Sequence, residues 1–426
     1  MDFQLIASPA HSYLQLEYTM IEPILKHTAG IDVHKKLIVV TILTEQSDGS
    51  LTQETREFGT FVKDYDVLAQ WLVINQIELT VMESTGIYWK HLYEVLEKHQ
   101  LQMYVVNARH VKKVPGRKTD VQDSQWLAML ARFGLLKPSF IPPQDLRELR
   151  RISRYRMKLS GMLAGEKNRL HKLLDSIGLR LGNVVSDIDG VSANTIIKGI
   201  INGESIETLL LYLKGQLKKK INDIRDALAV TLGARDLFLL KKLHAHIEYL
   251  NVELTELDDY LLTAMQPYQT QWEILQTMPG LAPVSAALLI IEMGVDMSRF
   301  GNCESLSSWA AMCPGNNSSA NKQKSGKTRK GNQYLRRVLC ETANAAIKTT
   351  SQFKDKYQTL VVRRGHKRSI IAIGHKMLRV AYTLLKDDKP YKDPGIDYKG
   401  MMIARNAPRW LKALHEYGYL GDLQRT

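Results

Sequence analysis

The sequence predicts an α/β domain followed by a long, mainly helical remainder. Three observations carry that reading. Short Val- and Ile-rich runs with turn residues between them fill the chain from Gly30 to Val106. After Pro142-Pro143 those runs give way to apolar residues at alternating spacings of three and four. Four acids, Asp32, Glu83, Asp120 and Asp123, fall at strand positions or a helix start inside the α/β part.

Taken in order, Gly30 to Ile42 reads as two strands broken by the His34 to Lys36 turn, and Thr55 to Phe61 as a third. Val62 to Gln76 has helical apolar spacing, and Ile77 to Glu83 is a buried strand ending in an acid. Gly86 to Gln100 is a helix and Leu101 to Val106 a strand. Asp120 and Asp123 open the next amphipathic helix, three residues apart and so on one face. Three strands, a helix, then alternating strand and helix is the order of a ribonuclease H type fold. In that order the acids of the first strand, the fourth strand and a late helix gather at one sheet edge. Each acid alone has a plain reading as a helix cap or a dipole partner. Together they suit a divalent cation, because Asp32 and Glu83 sit in apolar strands where an unpaired charge is costly.

Composition points to a polyanionic partner. The 426 residues include 58 Lys and Arg against 44 Asp and Glu, a formal charge of +14, which favours nucleic acid or an anionic surface. No apolar run is long enough to span a membrane. The opening residues lack a basic segment followed by an apolar core. Cys303, Cys313 and Cys340 form no CxxC pair, which fits a reducing, cytoplasmic setting and argues against zinc.

Beyond the prolines, Leu149, Ile152, Leu159, Leu163, Leu170, Leu173 and Ile177 lie on one seam with Arg156 and Glu166 as its polar members. A second seam, Leu240, Leu243, Ile247, Leu250, Leu254, Leu257 and Leu261, keeps heptad spacing without a break. The seams predict a coiled coil or a long antiparallel hairpin, either inside one subunit or between two. Arg147, Arg150, Arg151 and Arg154 crowd the first of these helices with few acids among them, which favours phosphate contact. Gly178 to Glu204 reads as a short helical insertion. The Met278-Pro-Gly-Leu-Ala-Pro283 turn before an apolar helix has the form of a helix-hairpin-helix, or of a simple Pro-Gly turn.

A polar, basic loop follows, from Cys313 to Asn332. It sets Lys322, Lys324, Lys327, Arg329 and Lys330, with Arg336 and Arg337 beyond, around hydroxyl residues, a composition suited to holding phosphate beside a nucleophile. Arg363, Arg364, Lys367 and Arg368 extend the basic surface.

GIDVHK, MESTG, KTDxxDSQWLA, MPGLAPVSA and the CPGNNSSANKQKSGKTRKGNQYLRR loop, in that order, resemble transposases of the IS-one-ten (IS110) family. The resemblance implies a RuvC-like domain over 28–139, a helical or coiled-coil region over 140–269 and a transposase domain over 270–386. An extension over 1–27 and a tail over 387–426 flank them. It further implies an RNA-guided recombinase that moves an insertion sequence, with donor DNA, target DNA and an element-encoded guide RNA as partners. Asp32, Glu83, Asp120 and Asp123 would hold Mg²⁺, with Mn²⁺ as the alternative. Ser319, five residues past Pro314, would be the nucleophile of a covalent phosphoserine step, with Ser318 and Ser325 as the other candidates. Dimers assembling to a tetramer, and a prokaryotic, nucleoid-associated setting, are implied in the same way. Two other readings stand beside this one: a metal-dependent hydrolytic nuclease such as a Holliday-junction resolvase, and a nucleic-acid-binding protein without catalysis.

Overall fold

The computed structural model describes residues 22–84, 86–111, 122–185, 187–188, 190–313, 317–319, 322–325, 328 and 331–419. The chain divides into two compact units at Ile141/Pro142.

In the first unit β1 (His27–Val33), β2 (Ile38–Glu45) and β3 (Leu51–Phe58) form a meander. Then come α1 (Val62–Ile74), β4 (Leu79–Glu83), α2 (Trp89–Lys98) and β5 (Met103–Val106). The short α3 (Ala108–Val111) and α4 (Gln122–Arg132) complete it. The sheet order is β3-β2-β1-β4-β5. β2 is antiparallel to β1 and β3, while β1, β4 and β5 run parallel. This is the predicted ribonuclease H arrangement. Residues alternate between the two faces of a strand, and the two faces carry different cores. Ala29, Ile31 and Val33 pack with α1 and α2, including Leu68, Leu72, Leu92 and Leu96. Leu79, Val81 and Val106 face the other way, onto Leu127, Leu130 and Ala131 of α4. β3 is exposed along nearly its whole length and carries Glu54, Arg56 and Glu57, charges that discourage another strand from pairing with this edge.

The second unit opens with the 33-residue α5 (Gln144–Ser176). The insertion predicted between the seams contains α6 (Leu181–Val184) and α7 (Val191–Asn202), and α8 (Ile206–Leu211) and α9 (Ile221–Leu228) lead to α10 (Ala234–Thr263). α5 and α10 lie against each other antiparallel: Arg156 pairs with Asp258 near one end, and Glu166 lies 3.4 Å from His246 farther along. Both apolar seams thus contribute to packing within one chain, with Leu240, Ile247, Leu250 and Leu261 buried. α11 (Gln269–Gln276) and α12 (Pro283–Met293) follow, then α13 (Cys303–Trp309), a hairpin of β6 (Asn317–Ser319) and β7 (Lys322–Ser325), and α14 (Gln333–Ala346). α15 (Gln352–Asp387) is kinked at Gly365, and α16 (Tyr398–Glu416) has no buried residue.

The Pro-Gly turn before α12 is fixed by close packing. Gly280 has φ 86, and a Cβ there would sit 2.6 Å from both the Thr342 carbonyl and the Ala346 amide of α14. Among the described residues no helix is long and apolar enough to cross a membrane, and the three cysteines are free thiols.

Candidate active site: an acidic sheet face and a serine-bearing loop

The acids of the first unit are positioned by register. β1 and β4 pair in parallel up to Ile31 opposite Met82, so Asp32 and Glu83 are the next residue on each strand and project from the same face. That face is the one α4 covers. Thr28 donates to the Ala128 carbonyl at 3.0 Å. Gly30 lies so close that an added Cβ would meet the Ser124 carbonyl at 1.9 Å and the Ala128 amide at 2.5 Å. Glycine at position 30 is therefore what lets the first turn of α4 rest on the strand, one face-step short of Asp32.

Two polar contacts hold α4 at its ends. Ser124, buried, shares a 2.8 Å hydroxyl contact with Thr41, which in turn meets Thr55 at 2.9 Å. Arg132 in the last turn donates to Glu45 at 2.6 Å. The helix thus runs antiparallel to β1 with its amino-terminal turn at the carboxy-terminal end of β1 and β4. Asp123 is in that turn, where the partial positive charge of a helix start favours carboxylates. The structure brings Asp32, Glu83 and Asp123 to one end of one sheet face. Asp120 lies outside the described residues. Among the described residues no three His, Cys, Asp or Glu groups close into a metal-binding cluster.

Asp32, expected as a charge inside an apolar strand, lies in β1 and has a polar neighbour there. Its carboxylate is about one-fifth exposed and lies 2.8 Å from His34 Nε2. His34 is the first residue past β1, two on from Asp32, and continues the alternation that sets both side chains on one face. His34, Gly30 and Ser124 are the residues of this site that sequence reasoning assigned no role.

In the second unit the backbone of Ser318 and Ser319 lies in β6. Ser319 is opposite Lys322, Asn317 is opposite Ser325, and the register shifts between Asn317 and Ser318. All three serine candidates therefore belong to one short hairpin. Pro314, Lys327, Arg329 and Lys330 lie outside the described residues, as do the side chains of Ser319, Lys322 and Lys324. Arg336 reaches back to this loop, donating to Thr328 at 2.9 Å. Arg337 pairs with Glu341 at 2.8 Å. Arg363, Arg364, Lys367 and Arg368 are all exposed on either side of the Gly365 kink, whose φ is 70.

The arginines at the start of α5 divide. Arg151 is exposed, and Arg147 donates to the Pro142 carbonyl at 3.0 Å. Arg150 and Arg154, expected to face phosphate, instead turn onto Glu292 of α12. Arg154 holds that carboxylate through two 2.9 Å hydrogen bonds. Arg150 donates to the Ile291 carbonyl at 3.1 Å and to the Glu292 carbonyl, capping the end of α12. Burial pulls the Arg150 guanidinium down to about 10, against the raising effect of the Glu292 charge, so it stays cationic at neutral pH. Burial pushes the Glu292 carboxyl up, but hydrogen bonds from Arg154 and Asn332 and the charges of both arginines outweigh it and leave the group below its ordinary range.

The first unit is thus a ribonuclease H type domain with acids at the ends of its first and fourth strands, joined to a helical unit that carries a serine-rich basic loop. Family comparison goes further. The model of the DEDD transposase of IS110 matches residues 29–179, and that of the transposase IS116/IS110/IS902 family matches residues 272–358. The two spans together take in more than half of the chain, which belongs to the IS110 family of transposases, enzymes that cleave and rejoin DNA. A search of curated proteins gives no match. Among solved structures the chain is similar to Thermus thermophilus RuvC, with 14% identity and a TM-score of 0.21 over 26% of this chain and 99% of that one. It is likewise similar to T. thermophilus RuvC in complex with a Holliday junction substrate, with 13% identity and a TM-score of 0.19 over the same shares. At such values the fold assignment rests on the strand order itself.

Proposed function

We propose that this transposase recombines DNA through a covalent phosphoserine intermediate formed by Ser319, with a divalent cation at Asp32, Glu83, Asp120 and Asp123. The observation that carries the reading is the shared face and end of Asp32, Glu83 and the first turn of α4. Three carboxylates so placed offer the hard oxygen donors that Mg²⁺ or Mn²⁺ prefers. When bound, such a cation draws charge from phosphate oxygens.

The chain's own residues do the rest. The Ser319 oxygen attacks phosphorus, and its proton passes to a base. The bond from phosphorus to the 3′ oxygen breaks, and that oxygen takes up a proton to leave as a 3′ hydroxyl. The new phosphoserine ester conserves the bond energy that rejoining needs, which hydrolysis would dissipate. Lys322, Lys324, Lys327, Arg329, Lys330 and Arg336 supply cations close in sequence to the serines, and the exposed run from Arg363 to Arg368 supplies a contact to the phosphate backbone. Guidance by an element-encoded RNA fits the charge of +14, with base pairing reading sequence while the protein reads backbone and shape. The division into a RuvC-like part over 28–139, a helical part over 140–269 and a transposase part over 270–386 goes with this reading, as does a homo-oligomer.

The test uses purified protein, the transcript of the noncoding sequence flanking its gene, a labelled donor duplex and Mg²⁺. A denaturant-resistant protein–DNA adduct, absent from Ser319→Ala and from Asp32→Ala, is the expected result. Cleavage without an adduct, unchanged in Ser319→Ala, would replace the proposal with a hydrolytic nuclease. Binding without cleavage under any condition would leave a nucleic-acid-binding protein.

A further inference from the structure

The residues on either side of the serine-bearing hairpin meet at one place in the second unit, Trp309 and Ala311 before it against Gly331 and Asn332 after it. Asn332 donates its backbone N–H to the Trp309 carbonyl at 3.1 Å. Gly331 packs so tightly on that neck that a Cβ would lie 2.5 Å from the Trp309 carbonyl and 2.8 Å from the Ala311 Cβ. Ala311 takes the left-handed region at φ 58° and closes α13, its N–H donating to the Ser308 carbonyl at 3.1 Å and the Met312 N–H to the Ser307 carbonyl at 3.0 Å.

Beneath the neck lies Glu292, 1% exposed. Asn332 has two separable jobs there. Its Oδ1 caps α14, accepting from the N–H groups of Tyr334 and Leu335 at 3.0 and 3.1 Å. Its Nδ2 donates to Glu292 Oε2 at 2.7 Å, the same oxygen that Arg154 Nη2 reaches. The Arg154 guanidinium also lies over the Tyr334 ring at 4.3 Å. A helix cap alone would need only the first job. A buried carboxylate with this many donors forms a rigid network, whose loss leaves charge uncompensated.

We propose that Glu292 and Asn332, held by Arg154, form a clamp on the neck of the serine-bearing loop and act as positioning residues for strand cleavage. The catalytic part of this inference rests on the reading of Ser319 given above. A nucleophile on a hairpin has its line of attack set by the hairpin's root, and small misplacements cost large factors in rate.

The separable jobs give the test. Asn332→Asp keeps the capping oxygen but removes the donor and sets a second carboxylate against Glu292. Asn332→Ser keeps a capping hydroxyl and likewise lacks the donor, should the aspartate variant fold poorly. Combining Asn332→Asp with Glu292→Gln reverses this hydrogen bond and restores it, while the Arg154 Nη2 donor loses its acceptor at the same position. Each full-length variant is checked for its melting temperature. It is then digested with trypsin, which cuts after Lys322, Lys324 and Lys327, and assayed for the rate of protein–DNA adduct formation at saturating donor DNA and RNA.

The single variants are expected to be cut in the loop about tenfold faster and to form adduct about tenfold slower, the scale of one hydrogen bond to a charged group. DNA affinity should be unchanged, and the double variant should recover both rates in part. Wild-type rates in Asn332→Asp and Asn332→Ser, or a double variant no better than the single, would overturn the clamp. Absence of an adduct in the wild type would overturn the serine reading instead, and the trypsin rates would then decide the clamp by themselves.

Discussion

Glu292 and Asp32 are both carboxylates set among apolar elements, and the molecule treats them in opposite ways. Glu292 is enclosed at the end of α12 with Arg154, Arg150 and Asn332 around it. Asp32 sits at the rim of a sheet, partly exposed, with His34 beside it. An acid whose charge is met by fixed donors inside the fold is a structural element, because its oxygens are already occupied. An acid at an open sheet end beside a helix start keeps coordination capacity for a cation or a substrate. The same difference separates the two halves of the basic α5 cluster, where Arg150 and Arg154 face inward and Arg151 faces solvent.

The contrast can be broken most forcefully at Glu292. Glu292→Ala would leave Arg150 and Arg154 without their shared counter-charge, and a loss of about 4 kcal/mol of stability is expected in a denaturant titration. A loss under about 1 kcal/mol would show that solvent already screens the pair. Next in size is Gly30→Ala, whose methyl group meets the α4 backbone. Stability should fall by about 3 kcal/mol, and DNA cleavage should fall with it although no acid has been touched. A stable variant with full activity would mean that α4 can lift from β1 without disturbing the acids.

A smaller effect is expected with pH. The Glu292 carboxyl is held below its ordinary value of 4.5, so between the folded and unfolded values the unfolded chain binds more protons. The contribution is therefore fully present above that ordinary value and is lost as the pH falls below it through the lower folded value. Acid unfolding of Glu292→Gln should lack this part of the pH dependence, and matching wild-type and variant curves would count against the pairing. Smallest of all should be Asp32→Asn, with a stability change of about 1 kcal/mol or less, while strand cleavage is lost. A large stability loss there would move Asp32 to the structural side of the comparison.

Much of the first unit was legible from pattern. Strands expected over Ile77 to Glu83 and Leu101 to Val106 appear as β4 and β5, and the helix expected over Val62 to Gln76 appears as α1. Alternating apolar residues report burial directly, so they survive in any sequence that folds this way. The meander was less clear at β3, which begins at Leu51, four residues before the expected Thr55, because an exposed edge strand has no apolar alternation to read. The acids at positions 32, 83, 120 and 123 stand out in the sequence by their placement in apolar strands and at a helix start. Gly30 and Ser124 do not, since a close approach between α4 and β1 leaves no trace along the chain. Glu292 offered one local signal, being the sole charged residue in the otherwise apolar α12.

Periodicity and chemistry among near neighbours are enough to give the buried strands and helices of the first unit, the seams of α5 and α10 and the candidate acids. Which charges are internal is set by long-range packing. Arg154 meets Glu292 across 138 residues and Arg150 meets the end of α12 across 141. Whether an arginine faces phosphate or a buried carboxylate depends on what the fold carries to it, and contacts of that range leave no local pattern.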